Sequence, residues 1–292
     1  MGPSERSSRL PLLLLSIASW AGLAVAYWLW VRTEAGQKLD QAAYDGRPRG
    51  RAHDAAGELL ATIDVISLAI AIGLLMLIAL LRHREVLALL AGTVVVGSVL
   101  ITEFLKHFAL ERPNLLGPAE AVYGNSFPSG HTTIAFSIGV AAILVAPPRL
   151  RRAVIAIALL YGVCIGIATI AAGWHRPSDV VGGFLVVAGW TALVTLIATS
   201  LDPDTFSSDR SGMQPAVIKR YVAIGVAVAL VGAFVAVCIA VASDLGRLRL
   251  TALDAQFVLA AAVVAGSAAV ILAALVNALR DALPAPTSTA SG

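Results

Sequence analysis

Long apolar stretches separated by short polar connections dominate the chain. A helix needs about 20 apolar residues to cross the roughly 30 Å hydrocarbon core of a bilayer. Eight stretches approach or exceed that length: Leu10 to Val31, Leu59 to Leu81, Val86 to Leu105, Thr132 to Ala146, Ala153 to Ala172, Val180 to Leu201, Tyr221 to Ala242 and Phe257 to Leu279. The pattern therefore predicts an all-α, polytopic helical membrane protein with eight spans.

Composition supports the same class. Of 292 residues, 58% are hydrophobic and only 13% are charged, whereas a soluble domain carries about 25% charged residues. This excludes a water-soluble globule. The 21 Lys and Arg exceed the 18 Asp and Glu by only three and form no basic face, so nucleic acid is not an expected partner. Cys164 and Cys238 lie in apolar stretches, where cysteine usually serves as a small packing residue.

The polar connections predict an orientation and a domain plan. With the N-terminus in the cytoplasm, the two shortest strongly basic turns also face the cytoplasm, as the positive-inside rule requires. The segment 33–58 is then external, either as a short interfacial element or, more simply, as a solvated loop. We expect four parts: the first helix and outer loop (1–58), a core (59–201), two further spans (202–283) and a disordered tail (284–292).

Candidate chemistry is concentrated in three polar clusters at the ends of predicted spans. They are 106–113, 125–133 and 173–179, and alternation of the spans places all three on the outer side. Together they supply cations, a hydroxyl group, a glycine and imidazoles: Lys106, Arg112, Ser129, Gly130, His131, His175, Arg176 and Asp179. Fixed cations and amides suit a phosphate group, whose charge is spread over several oxygens in the transition state.

Two of the clusters directly precede apolar helices. Ser129, Gly130 and His131 should offer unpaired amides at a helix N-terminus, which favours an anion. Pro177 fits the first turn of the following helix. Asp179 could then accept a hydrogen bond from one nitrogen of His175 and leave the other free to attack. The residues alone do not decide which histidine attacks.

The clusters resemble a known family. The strings Phe127-Pro128-Ser129-Gly130-His131 and His175-Arg176-Pro177-Ser178-Asp179, preceded by Lys106 and Arg112-Pro113, resemble the three signatures of the type 2 phosphatidic acid phosphatase superfamily. We expect a bacterial membrane member. The resemblance implies a six-helix core with a metal-independent site that hydrolyses phosphate esters or diphosphates, and the two C-terminal helices would be additional to that core.

The resemblance also implies a role for each residue. His175 would be the nucleophile that forms a phosphohistidine, with Asp179 orienting it. His131 would protonate the leaving oxygen and then activate water. The phosphoryl oxygens would be bound by Lys106, Arg112, Ser129 and Gly130.

Two departures from the family pattern are visible. Five residues rather than the usual six separate Lys106 from Arg112, which a loop can absorb. The third signature usually begins with Ser-Arg, but Ala168 and Thr169 stand at those positions. One phosphate-binding cation is therefore missing from its usual place, and we expect Arg176 to reach the phosphate instead.

A few other polar residues have simpler expected roles. Glu103 lies one turn before Lys106 and could pair with it. Asn125 could bridge loop backbone or touch substrate, and the sequence leaves both open. Trp174 suits an interfacial anchor.

These observations predict an enzyme: a membrane phosphatase that hydrolyses a lipid phosphate or polyprenyl diphosphate through a phosphohistidine, without a metal or other cofactor. Its partners would be that lipid substrate and the bilayer, at the outer face of a bacterial inner membrane. Two alternatives remain. One is a phosphotransferase to an acceptor alcohol, and the other is an inactive protein that binds lipid phosphates, which Thr169 makes credible.

Overall fold

The protein is all-α. The computed structural model describes residues 3–117, 124–201 and 252–280, and every regular element in these ranges is helical. The α-helices are α1 (Pro3–Ala26), α2 (Glu34–Asp45), α3 (Arg51–Ala61), α4 (Val65–Leu80), α5 (Glu85–Phe104), α6 (Gly130–Val145), α7 (Arg151–Ala171), α8 (Pro177–Leu201) and α9 (Ala252–Ala278). Two π-helical segments, Tyr27–Val31 and Leu105–Ala109, extend α1 and α5. The predicted fold class is confirmed.

Several of these helices are long and apolar enough to cross a membrane. Within the described residues five qualify alone: Arg9–Val31, Glu85–Ala109, Arg151–Ala171, Pro177–Leu201 and Asp254–Ala278. The pair α3 and α4 qualifies only as one bent span, and α6 is a shorter apolar helix. The predicted span at 221–242 and the predicted disordered tail at 284–292 lie outside the described residues.

One predicted span is not a continuous helix. The apolar stretch 59–81 begins inside α3 and is broken before α4, and the two helices are bent by 57°. Asp64 causes the break because its side chain caps α4, accepting from the Ser67 amide at 2.7 Å, while the Ser67 hydroxyl accepts from the Asp64 amide. This reciprocal capping box fixes a helix start within a stretch that hydropathy alone treats as uniform.

The segment 33–58 is not a solvated loop. It forms helices α2 and α3, and α2 begins where the Thr33 side chain accepts a hydrogen bond from the Gly36 amide at 3.0 Å. Gly36 packs directly on the backbone of Leu29 and Trp30, so closely that a Cβ atom there would clash. The start of α2 is therefore held against the end of the first span.

Helix α8 lies at the centre of the bundle. It packs against α1, α5, α6 and α9, and its Phe184 ring lies 4.8 Å from that of Phe136 on α6. Glycines allow the close approach of other pairs, since Gly139 faces Ala158 and Gly97 faces the indole of Trp190. Small residues permit such packing in lipid. The start of α8 is thereby fixed among the ends of its neighbours.

Candidate active site

The three polar clusters come together at one end of the bundle, where α5 and α7 end and α6 and α8 begin. Arg112 of the first cluster donates from Nη2 to Asp179 Oδ1 of the third at 2.7 Å. Ser129 of the second cluster donates its amide to the Asp179 carbonyl at 2.8 Å. A Cβ atom on Gly130 would lie 3.3 Å from Lys106 Nζ. Asp179 thus has contacts with all three clusters.

His175 and Asp179 form a buried pair. His175 Nδ1 lies 3.4 Å from Asp179 Oδ2, and the same oxygen accepts the Arg176 amide at 3.0 Å. Asp179 has no exposed surface and His175 is 8% exposed. With its proton on Nδ1, the imidazole donates to the carboxylate, and the lone pair on Nε2 is available to a substrate.

The pair owes its geometry to the start of α8. The helix begins at Pro177, as the sequence predicts, because a first-turn position needs no backbone donor. Asp179 is therefore in the first turn, four residues after His175. The main chain before it is fixed by the Thr169 carbonyl, which accepts the amides of Trp174 at 2.9 Å and His175 at 3.1 Å.

The second cluster forms the start of α6. Ser129 is the N-cap residue, and its hydroxyl accepts from the Thr132 amide at 3.3 Å. The amides of Gly130 and His131 belong to the first turn, whose donors have no partner within the helix. The prediction of an unpaired amide is wrong for Ser129, since that N–H is bonded to the Asp179 carbonyl.

Lys106 lies in the π-helical segment that ends the α5 span, an element that is frequent at functional sites. Its Nζ donates to Glu103 Oε1 at 2.9 Å, as the sequence predicts, and His107 bonds the other Glu103 oxygen at 3.1 Å. The Lys106 side chain is 15% exposed and that of His107 is 60% exposed. Lys106 is therefore largely enclosed, with its Nζ next to Gly130, whereas His107 lies at the surface.

His131 lies beside Trp174, with a distance of 5.1 Å between their ring centroids. Trp174 directly precedes His175 in the chain. Trp174 is 45% exposed. The two histidines of the predicted site therefore share one region, and the indole covers one of them.

Two buried guanidinium groups lie in the same region. Arg176 donates from Nη2 to Gln41 Oε1 at 2.7 Å, and its Cζ lies 5.1 Å from the centre of the Tyr44 ring. Burial, and then the positive charge of Arg112, lower the pKa of Arg176. The negative charges of Asp179 and Asp40 act in the opposite direction, so this region holds a cluster of buried cations and acids.

Thr169 occupies the position where the family usually has arginine. It is fully buried, and its hydroxyl donates to the Gly166 carbonyl at 2.7 Å within α7. Asn125 takes the first of its two predicted roles, because its Nδ2 donates to the carbonyls of Lys106, Leu110 and Phe127. These bonds tie the backbone of the first cluster to that of the second.

Sequence reasoning missed one acid in this region, Asp40 of α2. It is 2% exposed, and it accepts from both the amide (3.1 Å) and the hydroxyl of Ser178. Its Oδ2 lies 3.9 Å from Arg112 Nη1. Burial, and then the negative charge of Asp179, raise the pKa of Asp40 to about 7.

Comparison with known proteins identifies the family. Residues 86–202 match the family model described as the PAP2 superfamily, a range that contains all three clusters. The match confirms, over these residues, the resemblance to the type 2 phosphatidic acid phosphatase superfamily. The superfamily hydrolyses phosphate esters, which supports a phosphatase. Comparisons with curated proteins and with solved structures find no match.

Proposed function

We propose that the protein is a membrane lipid phosphatase that hydrolyses a phosphomonoester or diphosphate of a lipid or polyprenyl substrate through a phosphohistidine on His175. The observation that carries this proposal is the buried pair of His175 and Asp179, with Nδ1 and Oδ2 3.4 Å apart, at the point where the three clusters meet. A carboxylate on one imidazole nitrogen favours attack by the other.

In the first step, His175 Nε2 attacks the phosphorus atom and the bond to the lipid oxygen breaks. Asp179 stabilises the imidazolium by accepting from Nδ1. His131 gives its proton to the leaving oxygen, which departs as the lipid alcohol or phosphate. Lys106, Arg112, the Ser129 hydroxyl and the Gly130 amide bind the phosphoryl oxygens, whose negative charge is spread in the transition state.

In the second step, His131 has lost its proton and takes one from water. The resulting hydroxide attacks phosphorus, the bond to Nε2 breaks, and inorganic phosphate leaves. The same imidazole thus serves as acid and then as base. Asp179 is unchanged in both steps because it holds its hydrogen bond throughout.

The proposed substrate is a lipid because the site lies at the ends of candidate membrane spans. The lipid tail would remain in the bilayer while the head group meets the site, at the outer face of the plasma membrane. No metal is invoked: among the described residues, no group of three or more His, Cys, Asp or Glu side chains could hold one.

The test is phosphate release by the detergent-purified protein with a chelator present. The substrates are phosphatidic acid, phosphatidylglycerophosphate, and polyprenyl phosphates and diphosphates, each compared with a soluble phosphate ester. We expect turnover of a lipid substrate that survives chelation. His175→Ala should lower it by about 10³-fold or more, since the nucleophile is lost.

Other outcomes would replace the proposal. Transfer of phosphate to an added alcohol in preference to water would make the protein a phosphotransferase. Lipid binding without any release would make it a binding protein, a result that Thr169 in place of arginine would explain. Equal turnover of soluble esters and lipid phosphates would contradict a lipid substrate.

A further inference from the structure

Helix α2 has one polar face that is turned towards the proposed site. The face consists of Gln37, Asp40, Gln41 and Tyr44, whose spacing of three, four and seven residues places them on one side of a helix. Gln37 and Asp40 are buried, at 5% and 2% exposure. The helix precedes residues 86–202, the range matched by the family model.

This polar face contacts two of the three clusters. Gln37 Nε2 donates to the Pro113 carbonyl of the first cluster at 2.6 Å. Tyr44 donates to the Gly173 carbonyl of the third cluster at 2.9 Å, and Gln41 accepts from Arg176 at 2.7 Å. The contacts join chain segments that are 76 to 135 residues apart. Helix α2 therefore connects the first cluster to the third.

Asp40 has the central position on this face. Its Oδ1 accepts the Ser178 amide, one of the first-turn donors of α8 that have no partner within the helix. A carboxylate at a helix N-terminus is also favoured by the helix dipole. The next residue after Ser178 is Asp179, the partner of His175. Asp40 thus holds the turn of backbone from which the Asp179 side chain extends.

Arg112 links the two acids a second time. Its Nη2 lies 2.7 Å from Asp179 Oδ1, and its Nη1 lies 3.9 Å from Asp40 Oδ2. The guanidinium is planar and rigid, so a charge near one terminal nitrogen helps to fix the direction of the other. Asp40 therefore acts on Asp179 both through the main chain and through this arginine.

We infer that Asp40 is a positioning residue of the active site, which orients the Asp179 carboxylate, and through it His175, by its hydrogen bonds to Ser178 and its contact with Arg112. The inference rests on the proposed function and extends the site beyond the family domain. Burial of a carboxylate carries a large desolvation cost. An apolar residue would pack α2 on α8 without that cost, so packing alone does not account for Asp40.

The test compares steady-state phosphate release by the wild type, Asp40→Ala, Asp40→Asn and Ser178→Ala, on the lipid substrate that the wild type hydrolyses fastest. Glu34→Gln is the matched control, an exposed acid on the same helix that forms a salt bridge with Lys38 at 2.6 Å. We expect Asp40→Ala to lower kcat at least tenfold with KM changed less than threefold. Asp40→Asn should retain more activity, because its amide oxygen can still accept from the Ser178 N–H.

A double-mutant cycle measures how much of the effect of Asp40 on kcat depends on the Ser178 hydroxyl. If Asp40 acts in part through the Ser178 hydroxyl, Asp40→Ala should lower kcat less in the Ser178→Ala background than in the wild type. If Asp40→Ala fails to fold, the same criteria apply to Asp40→Asn and Ser178→Ala. Glu34→Gln should keep the wild-type kcat.

Each remaining outcome overturns the inference. If the Asp40 variants keep the wild-type kcat, the inference is wrong while the phosphatase proposal stands. The same holds if KM increases with kcat unchanged, because that indicates altered binding. Equal losses in Glu34→Gln would indicate a general disturbance of α2. A wild type that releases phosphate from no substrate removes the proposed function, and this inference with it.

Discussion

At the scale of single residues, Asp179 is the point where the three clusters are joined. Its carboxylate accepts from Arg112 and from the Arg176 amide and lies 3.4 Å from His175, while its carbonyl accepts from Ser129. A fully buried carboxylate is tolerated only with such partners. The contacts that stabilise the charge are therefore the same contacts that fix the proposed nucleophile.

A variant of Arg176 tests whether this residue replaces the phosphate-binding arginine that the family usually has at the position of Thr169. If its guanidinium binds a phosphoryl oxygen, Arg176→Ala should lower turnover by about 10²-fold, the usual effect of losing one preorganised donor. Turnover is measured as phosphate release under saturating lipid. Arg49→Ala, an exposed arginine near the same helix α2, is the control. Unchanged turnover in Arg176→Ala would show that Arg176 does not replace the missing cation.

Asp40 makes the free energy of unfolding of the protein depend on pH. Its pKa of about 7 in the folded protein is above the usual value of 3.8, with Asp179, Arg112 and Arg176 as the charged groups that face it. Between pH 4 and 7 the folded state holds a proton that the unfolded state has released. The free energy of unfolding therefore falls as pH rises, by at most about 1.4 kcal/mol per pH unit from this group.

Thermal unfolding in detergent at pH 5 and pH 8 measures this effect. The midpoint of the wild type should fall relative to that of Asp40→Asn as pH increases, because the asparagine does not titrate. The other titratable groups are present in both proteins, so their contributions largely cancel in the difference between the two unfolding midpoints. A difference that stays constant from pH 5 to pH 8 would contradict an acid that titrates near neutrality.

At the scale of elements, the parts that the sequence could predict are those set by local spacing. Asp179 follows His175 by four residues, and Lys106 follows Glu103 by three, so helical geometry alone brings each pair together. Pro177 marks the start of α8 for an equally local reason. Hydropathy likewise located the five described helices that are each long and apolar enough to cross a membrane, because every residue of such a helix contributes to it.

The parts that the sequence did not predict depend on long-range contacts or on a single polar residue. Asp40 and Ser178 are 138 residues apart, and no local pattern connects them. The polar residues at 37, 40, 41 and 44 did contain a signal, since they predict a helix with one polar face. The break before α4 also had a signal, the pair Asp64 and Ser67 at capping spacing.

Helix packing inside the bundle depends on glycine at close contacts. A Cβ atom on Gly97 of α5 would clash with Nε1 of Trp190 on α8, an indole that donates to the Thr93 carbonyl at 2.9 Å. Gly97→Ala must displace the ring, and we expect a loss of about 1–3 kcal/mol and a lower unfolding midpoint in detergent. Gly73→Ala on α4 is the control, since nothing lies within 4 Å of its Cβ position. Equal midpoints for both variants would show that α5 and α8 adapt to the larger residue.

At the scale of the whole molecule, the direction of the helices determines where the site lies. Helices α5 and α7 end at the site, while α6 and α8 begin there, so the connection between α6 and α7 is at the opposite end of the bundle. Tyr44 and Arg47 of the segment 33–58 lie against Gly173. Arg49 is therefore near the site end, and Arg149 is at the far end.

This geometry gives a test of the predicted orientation, in which the N-terminus is cytoplasmic and the site faces outward. Single cysteines replace Arg49 or Arg149, both exposed, in a background in which Cys164 and Cys238 are serine. In intact cells an impermeant maleimide should label the cysteine at 49 and leave that at 149 unlabelled until the membrane is lysed. Labelling only at 149 would show that the site faces the cytoplasm. The proposed substrate would then be a lipid of the inner leaflet.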